Sequence, residues 1–268
     1  MSETTNTTRA IVSPPYSGRL QQVGSTGSEV ARVQSYLNSL ATVHPTIHTQ
    51  KVDGKFGAAA KQAVEDYQRV AGLTADGKVG QATWNALVGE HSARYGSDAD
   101  TYPGIVLRPG EHSQDVGHMQ RALNTLAQVY TGINSQTADE RYGNNMSAAA
   151  RRFQQQFGLA ADGQVGPKTW ASVVQVRKEI QAGRRPHVVT PYSGTIMRRG
   201  SNGDYVRFLQ SYLNGVNHNR VLNVDGKFGA ATEEAVKQFQ AARQLKADGK
   251  VGPATWGLLV PAYNNALT

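Results

Sequence analysis

The sequence predicts an all-α protein: three tandem three-helix-bundle repeats joined by short linkers. Three observations carry that expectation. The same text recurs three times along the 268 residues, marked by Trp84, Trp170 and Trp256 at a constant spacing. Within each copy, apolar residues return at helical intervals. Between the helical stretches stand Asp-Gly pairs, where Gly supplies positive φ and Asp can bond the backbone two residues on.

The first helix of each repeat is read from Val30, Val33, Leu37 and Leu40, which fall at i, i+3, i+7 and i+10. Gly27 or Ser28 is expected to cap it, with Ser113 and then Gly203 or Asp204 in the other copies. Next comes the first turn: Asp53-Gly54, Asp139-Glu140 and Asp225-Gly226. The distance from Gln34 to Asp53 equals that from Gln120 to Asp139, but Gln210 lies four residues closer to Asp225. Such length variation marks a surface loop. The second helix carries Ala60, Ala63, Val64 and Tyr67 on one face, matched by Met146, Ala149, Ala150 and Phe153, then Thr232, Ala235, Val236 and Phe239. After a second turn (Asp76-Gly77, Asp162-Gly163, Asp248-Gly249) a short third helix is expected. Pro167 and Pro253 suit its first turn, where a missing N–H costs nothing. Trp84 with Leu87, Trp170 with Val173, and Trp256 with Leu259 face inward as core. Tyr16, Tyr102 and Tyr192 head the leader segments and are expected to clamp them onto the bundles. The resulting boundaries are a flexible N-terminal segment at 1–13 and repeats at 14–90, 101–176 and 190–268. Linkers run from 90 to 101 and from about 175 to 190, the latter beginning as a charged helical continuation, Gln175 to Gln181, and breaking at Gly183 and Pro186.

Composition removes several function classes. The chain has no Cys, which excludes disulfide scaffolds, Cys-ligated zinc and cysteine nucleophiles. No apolar run approaches the ~20 residues of a membrane span, so no membrane insertion is expected. The first residues lack the basic start and apolar stretch of a signal peptide. No catalytic constellation stands out. His-Glu-x-x-His is absent, and Pro45 separates His44 from His48. Gly-x-Ser-x-Gly is absent too. The Asp residues that could pair as acid and base sit in Asp-Gly turns. No enzyme activity, metal or cofactor is therefore expected. Net charge is +8, and residues 101–207 hold 13 basic against 7 acidic side chains. This basic middle suits anionic polymers or a solvated surface. Nucleic acid is not expected, because the Arg pairs lie in different segments rather than along one recognition helix.

The combination Val33-Gln34-x-x-Leu37-Asn38, Asp225-Gly226-Lys227-Phe228-Gly229, Ala235-Val236-x-x-Phe239-Gln240 and Asp248-Gly249-x-Val251-Gly252-Pro253-x-Thr255-Trp256 resembles the peptidoglycan-binding domain of the three-helix type. That domain is commonly appended to cell-wall hydrolases. The match covers Gly24 to Leu87, Gly110 to Val173 and Gly200 to Leu259. It implies non-covalent, multivalent attachment to peptidoglycan, through glycan strand or stem peptide, at the bacterial cell envelope or surface. Anionic wall polymers are further candidate partners. The alternative is a structural adaptor in a spore coat, phage or injection particle, using the fold for contacts within a protein assembly.

Candidate binding residues are polar ones that recur without an evident core role. They are Gln34, Asn38, Asp53, Gln68 and Asp76; Gln120, Asn124 and Gln154; and Gln210, Asn214, Asp225, Gln240 and Asp248. Amides offer donors and acceptors together, as sugar hydroxyls and stem amides require. The same amides would equally serve to tie helices to turns, and both readings stand at this point. Repeat 2 departs from the pattern. Glu140 replaces Gly where positive φ is costly, and Asn144-Asn145-Met146 replaces Ala230-Ala231-Thr232. It is expected to have lost the ligand or gained a different contact.

Overall fold

The computed structural model describes residues 14–95, 100–217 and 222–267. The 1–13 segment and the centre of the shortened loop of repeat 3 lie outside the described residues. Among the described residues there are nine helices and four isolated β-bridges. Repeat 1 supplies α1 (Ser28–Leu40), α2 (Ala58–Val70) and α3 (Gln81–Tyr95). Repeat 2 supplies α4 (Gln114–Ala127), α5 (Asn144–Gln156) and α6 (Pro167–Gln181). Repeat 3 supplies α7 (Asp204–Val216), α8 (Ala230–Ala242) and α9 (Pro253–Leu267). The chain forms two compact units. One holds the residues to Leu107 with Glu111–His118, the other Arg108–Gly110 with the residues from Met119.

In the first unit, Val30, Val33, Leu37 and Leu40 of α1 pack with Ala63, Val64 and Tyr67 of α2 and with Trp84, Leu87 and Val88 of α3. Burying each large side chain of this set is worth roughly 1.5–3 kcal/mol. The leader segment joins by a bridge between Gln21 and Val79, and the residues before α1 join by one between Thr26 and Lys55. Trp84 is buried, and its Nε1–H donates to the carbonyl of Pro14 at 2.9 Å. The indole thus closes the core and holds the leader, with the Tyr16 ring 6.4 Å away. The first turn of α1 also meets the first turn of α4. Ser28 Oγ donates to Ser113 Oγ at 2.7 Å, Glu111 accepts the Ser28 N–H at 2.9 Å, and buried Arg32 pairs with buried Asp115.

The second unit combines repeats 2 and 3. Trp170 and Trp256 are buried with Met119, Leu123 and Phe153, and with Leu209, Val236 and Leu259. Trp256 Nε1–H donates to Thr190 O at 3.1 Å. Asp204, in the first turn of α7, receives Arg152 at 2.8 Å and Arg151 at 3.3 Å from α5. Thr131 and Ser211 share a 2.7 Å hydroxyl contact, and Tyr130 OH donates to Pro186 O at 2.7 Å. The backbone at Gly132 lies so close that a Cβ there would stand 2.8 Å from the Phe208 ring.

One expectation changes. The third helices are not short: each spans 15 residues, against 13 or 14 for the others. They lengthen because their far ends keep packing. His91 stacks on Tyr36 at 4.3 Å and Tyr263 lies against Tyr212 at 4.4 Å. As the sequence predicts, the charged stretch from Gln175 to Gln181 continues the helix, here α6, which stops before Gly183 at φ 80°. Gly27 and Gly203 hold the N-cap positions without side-chain bonds, so Ser28 and Asp204 are first-turn residues. Glu140 keeps the turn of repeat 2 by adopting φ 63°, and Gln244 takes φ 56° where repeats 1 and 2 place Gly72 and Gly158.

Left-handed backbone is strained for residues with a Cβ. Glu140→Gly and Gln244→Gly should each stabilise the second unit by about 0.5–1 kcal/mol, net of the entropy Gly adds to the unfolded chain. Chemical unfolding of the single variants checks this. A loss of stability in both would show that the strain is relieved by contacts of the native side chains.

Candidate functional site

Each repeat places a glutamine of its first helix over the first turn. Gln34 is buried, and its Nε2 donates to Asp53 Oδ1 at 3.0 Å and Lys55 O at 3.1 Å. Its Oε1 accepts the N–H groups of Asp53 and Gly54 at 3.1 and 2.9 Å. Both donors and both acceptor positions of the amide are engaged. Gln120 repeats this with Asp139 Oδ1 at 2.8 Å, Arg141 O and the Glu140 N–H. Gln210 does so with Asp225 Oδ1 at 2.9 Å, Lys227 O and the Gly226 N–H, and also reaches Thr232 Oγ1.

A second staple links each second helix to the second turn. Gln68 Nε2 donates to Asp76 Oδ1, Lys78 O and Thr83 Oγ1 at 2.9–3.0 Å, and its Oε1 accepts the Gly77 N–H. Gln154 makes the same set with Asp162, Gln164 O, Thr169 and Gly163, and Gln240 with Asp248, Lys250 O, Thr255 and Gly249. The asparagines clasp the incoming loop in both directions. Asn38 bonds the N–H and C=O of Gln50, Asn124 those of Gln136, and Asn214 those of Leu222.

Every amide of the candidate set thus has an internal job, and the aspartates present the exposed part of each staple. Sequence reasoning passed over Asp139, Asp162 and the hydroxyls of Thr83, Thr169 and Thr255. The repeat period already aligned all five with their counterparts. Among the described residues, His44 bonds Glu90 at 2.6 Å and His48 bonds Asp66 at 2.5 Å, so a carboxylate holds each histidine.

The staples depress the pKa values of five aspartates. For Asp53, Asp76, Asp139 and Asp225 the glutamine N–H is the largest cause and the backbone N–H two residues on comes next. For Asp248 the Lys250 N–H leads. A further opening lies in repeat 2, where a cavity of about 470 Å³ borders the staple at Gln120, Asp139 and Arg141 and the start of α5.

Two outcomes follow from the staples. Gln154→Leu would strand the Gly163 N–H, Gln164 C=O and Thr169 hydroxyl inside the bundle, at roughly 2–4 kcal/mol of stability by chemical unfolding; a loss below about 0.5 kcal/mol would refute the staple's importance. Carboxylates whose folded pKa lies below the unfolded value near 3.9 stabilise fully above that value and lose the contribution as pH falls through the folded one. Buried Glu29, raised first by burial, acts in the opposite sense but is one group against five. Melting temperature should therefore stay flat from about pH 7 to 5 and fall below about pH 4. A rise on acidification would contradict this balance.

A family model described as "Putative peptidoglycan binding domain" matches residues 26–87, 112–173 and 202–259. Over 167 residues the chain is 35% identical to "Probable N-acetylmuramoyl-L-alanine amidase" of Bacillus licheniformis, covering 60% of this chain and 46% of that protein. Over 78 residues it is 47% identical to "Zinc D-Ala-D-Ala carboxypeptidase" of Streptomyces albus G, covering 29% of this chain and 30% of that protein. Among solved structures, the SleB N-terminal domain is 36% identical and covers 27% of this chain and 97% of that one, with a TM-score of 0.26. The chain spans less than half the length of these curated relatives. Each of the three matched stretches contains both glutamine staples, and together they make up more than half of the sequence. The chain belongs to this peptidoglycan-binding-domain family and carries three tandem copies of the domain.

Proposed function

We propose that this chain is a non-catalytic, multivalent peptidoglycan anchor acting at the bacterial cell wall. The observation that carries the reading is repetition: three copies of one binding domain on a single chain. The binding modules are residues 14–90, 101–176 and 190–268. Two relatives have the names of wall-directed enzymes, and this chain covers less than half of each. That supports assigning the shared segment to attachment rather than to chemistry.

Within each repeat, the staples are proposed to frame the binding edge. Gln34, Gln120 and Gln210, with Asn38, Asn124 and Asn214, fix the first turn. Gln68, Gln154 and Gln240 fix the second. Asp53, Asp76, Asp225 and Asp248 are exposed at these turns. As ionised carboxylates they accept hydrogen bonds from sugar hydroxyls and stem amides. The basic stretch over residues 101–207 adds attraction to anionic wall polymers, which salt screens. Three weak sites on one chain raise avidity by about 10²–10⁴ when their spacing permits simultaneous engagement.

Co-sedimentation of the whole chain with insoluble sacculi tests this, with and without teichoic acids and across a salt series. Pelleting with stripped sacculi that resists salt is expected, and deletion of residues 190–268 should weaken it about tenfold or more. No soluble fragments should be released from the sacculi. Pelleting that vanishes with teichoic acid or salt would reassign binding to the basic stretch. No pelleting would favour the adaptor reading.

A further inference from the structure

We propose that the cavity beside the first turn of repeat 2 receives the peptide stem of the wall polymer rather than its glycan. This rests on the wall-binding reading above and names the moiety and the repeat. At about 470 Å³ the cavity falls within the ~300–1,000 Å³ of small-ligand sites. Gln120, Gln136, Asp139, Arg141, Asn144 and Asn145 line it. These groups point to one chemistry. Gln136 Oε1 is buried and has no hydrogen-bond partner, and its Nε2 reaches the weak acceptor Met146 Sδ at 3.5 Å. A buried acceptor left empty gains from any donor that enters. Arg141 is exposed at the rim. A guanidinium matches a carboxylate bidentately. The start of α5, Gly143 to Asn145, also lines the cavity, and no side chain of the N-cap covers its first-turn N–H groups. Asp139, also on the lining, supplies an exposed acceptor. Acceptors for N–H next to donors for C=O or carboxylate are the complement of a short peptide with a free terminus. A neutral sugar gives Arg141 no charge to pair with.

The departures of repeat 2 from its sister repeats converge on this cavity. The start of α5 is Asn144-Asn145-Met146, where α2 begins with three alanines and α8 with Ala230-Ala231-Thr232. Arg141 stands where the others have Lys55 and Lys227, whereas Gln136 is shared with repeat 1, where Gln50 holds the same place. The sequence left repeat 2 either without the ligand or with a different contact, and this proposal takes the second.

The test titrates the whole chain, followed by backbone amide NMR and calorimetry, with three probes: a synthetic stem tetrapeptide, its C-terminally amidated form, and the N-acetylglucosamine tetramer. The tetrapeptide should shift resonances at 136–146, and the amidated form should bind more weakly. Arg141→Gln should weaken tetrapeptide binding about tenfold, as loss of a charge-assisted bond does. The double change Asn144→Ala and Asn145→Ala, which gives repeat 2 the Ala-Ala start of the others, should weaken it about threefold or more with an unchanged unfolding midpoint. Lys61→Gln, an equal charge loss at an exposed position on α2 of repeat 1, should leave it unaltered. Shifts caused by the sugar tetramer but not the peptide, equal shifts in all three repeats, or no effect of either variant would overturn the proposal. Sacculus pelleting by the unaltered chain without tetrapeptide binding would sink this inference alone. Failure to pellet, with the tetrapeptide still bound at 136–146, would sink the wall-anchor reading instead.

Discussion

A turn folded back between two helices cannot offer all its N–H and C=O groups to water, and an unpaired buried backbone group is costly. This chain meets that constraint with one device used six times. A glutamine on a helix holds an Asp-x turn by accepting turn N–H groups on Oε1 and donating from Nε2 to the aspartate and to a carbonyl two residues on. The amide suits the task because it is the uncharged side-chain group with two donors and two acceptor positions. The aspartate can remain exposed and ionised because its Oδ1 is fixed by both the amide and the backbone.

The rest of each bundle depends on those turns. They set the entry of the second and third helices, which in turn sets where Ala63, Tyr67, Trp84 and Leu87 meet the α1 stripe. They also provide the edges to which the leader segments attach, since Val79 and Lys55 of the turns bridge to Gln21 and Thr26. Trp84 then fixes the leader from below by its indole N–H. Core, turns and leader are therefore one cooperative structure, although each repeat's core is small.

Much of this was legible in the sequence because repetition removes ambiguity. The helices, the turns and the inward tryptophans follow from period and stripe alone, and the structure places them so. What the sequence left open was the role of the polar residues. Gln34 could face a ligand or a turn with identical spacing, since both lie on the border of the same helix face. Only the geometry of Asp53 and Gly54 beneath it decides. The length of the third helices was missed because their ends pack through His91 and Tyr263, outside the Trp–Leu motif. The tie between α1 and α4, through Ser28, Ser113, Arg32 and Asp115, joins residues from different repeats. No period within one repeat announces it.

Saturated amides have a consequence for recognition. A side chain whose hydrogen bonds are all made internally can position a ligand-facing edge but gains little by turning to a ligand, since every new bond would break an old one. Recognition then falls to groups at the margin of the staple. Under the wall-binding proposal those are the exposed aspartates of the turns and, in repeat 2, the residues that differ from its sisters. The frame can thus be held constant while the margin changes. Arg141 for lysine and Asn144-Asn145 for Ala-Ala leave the Gln120–Asp139 bond at 2.8 Å. Three copies of one scaffold on one chain can in this way carry contacts of different chemistry while the staples that support the fold stay unchanged.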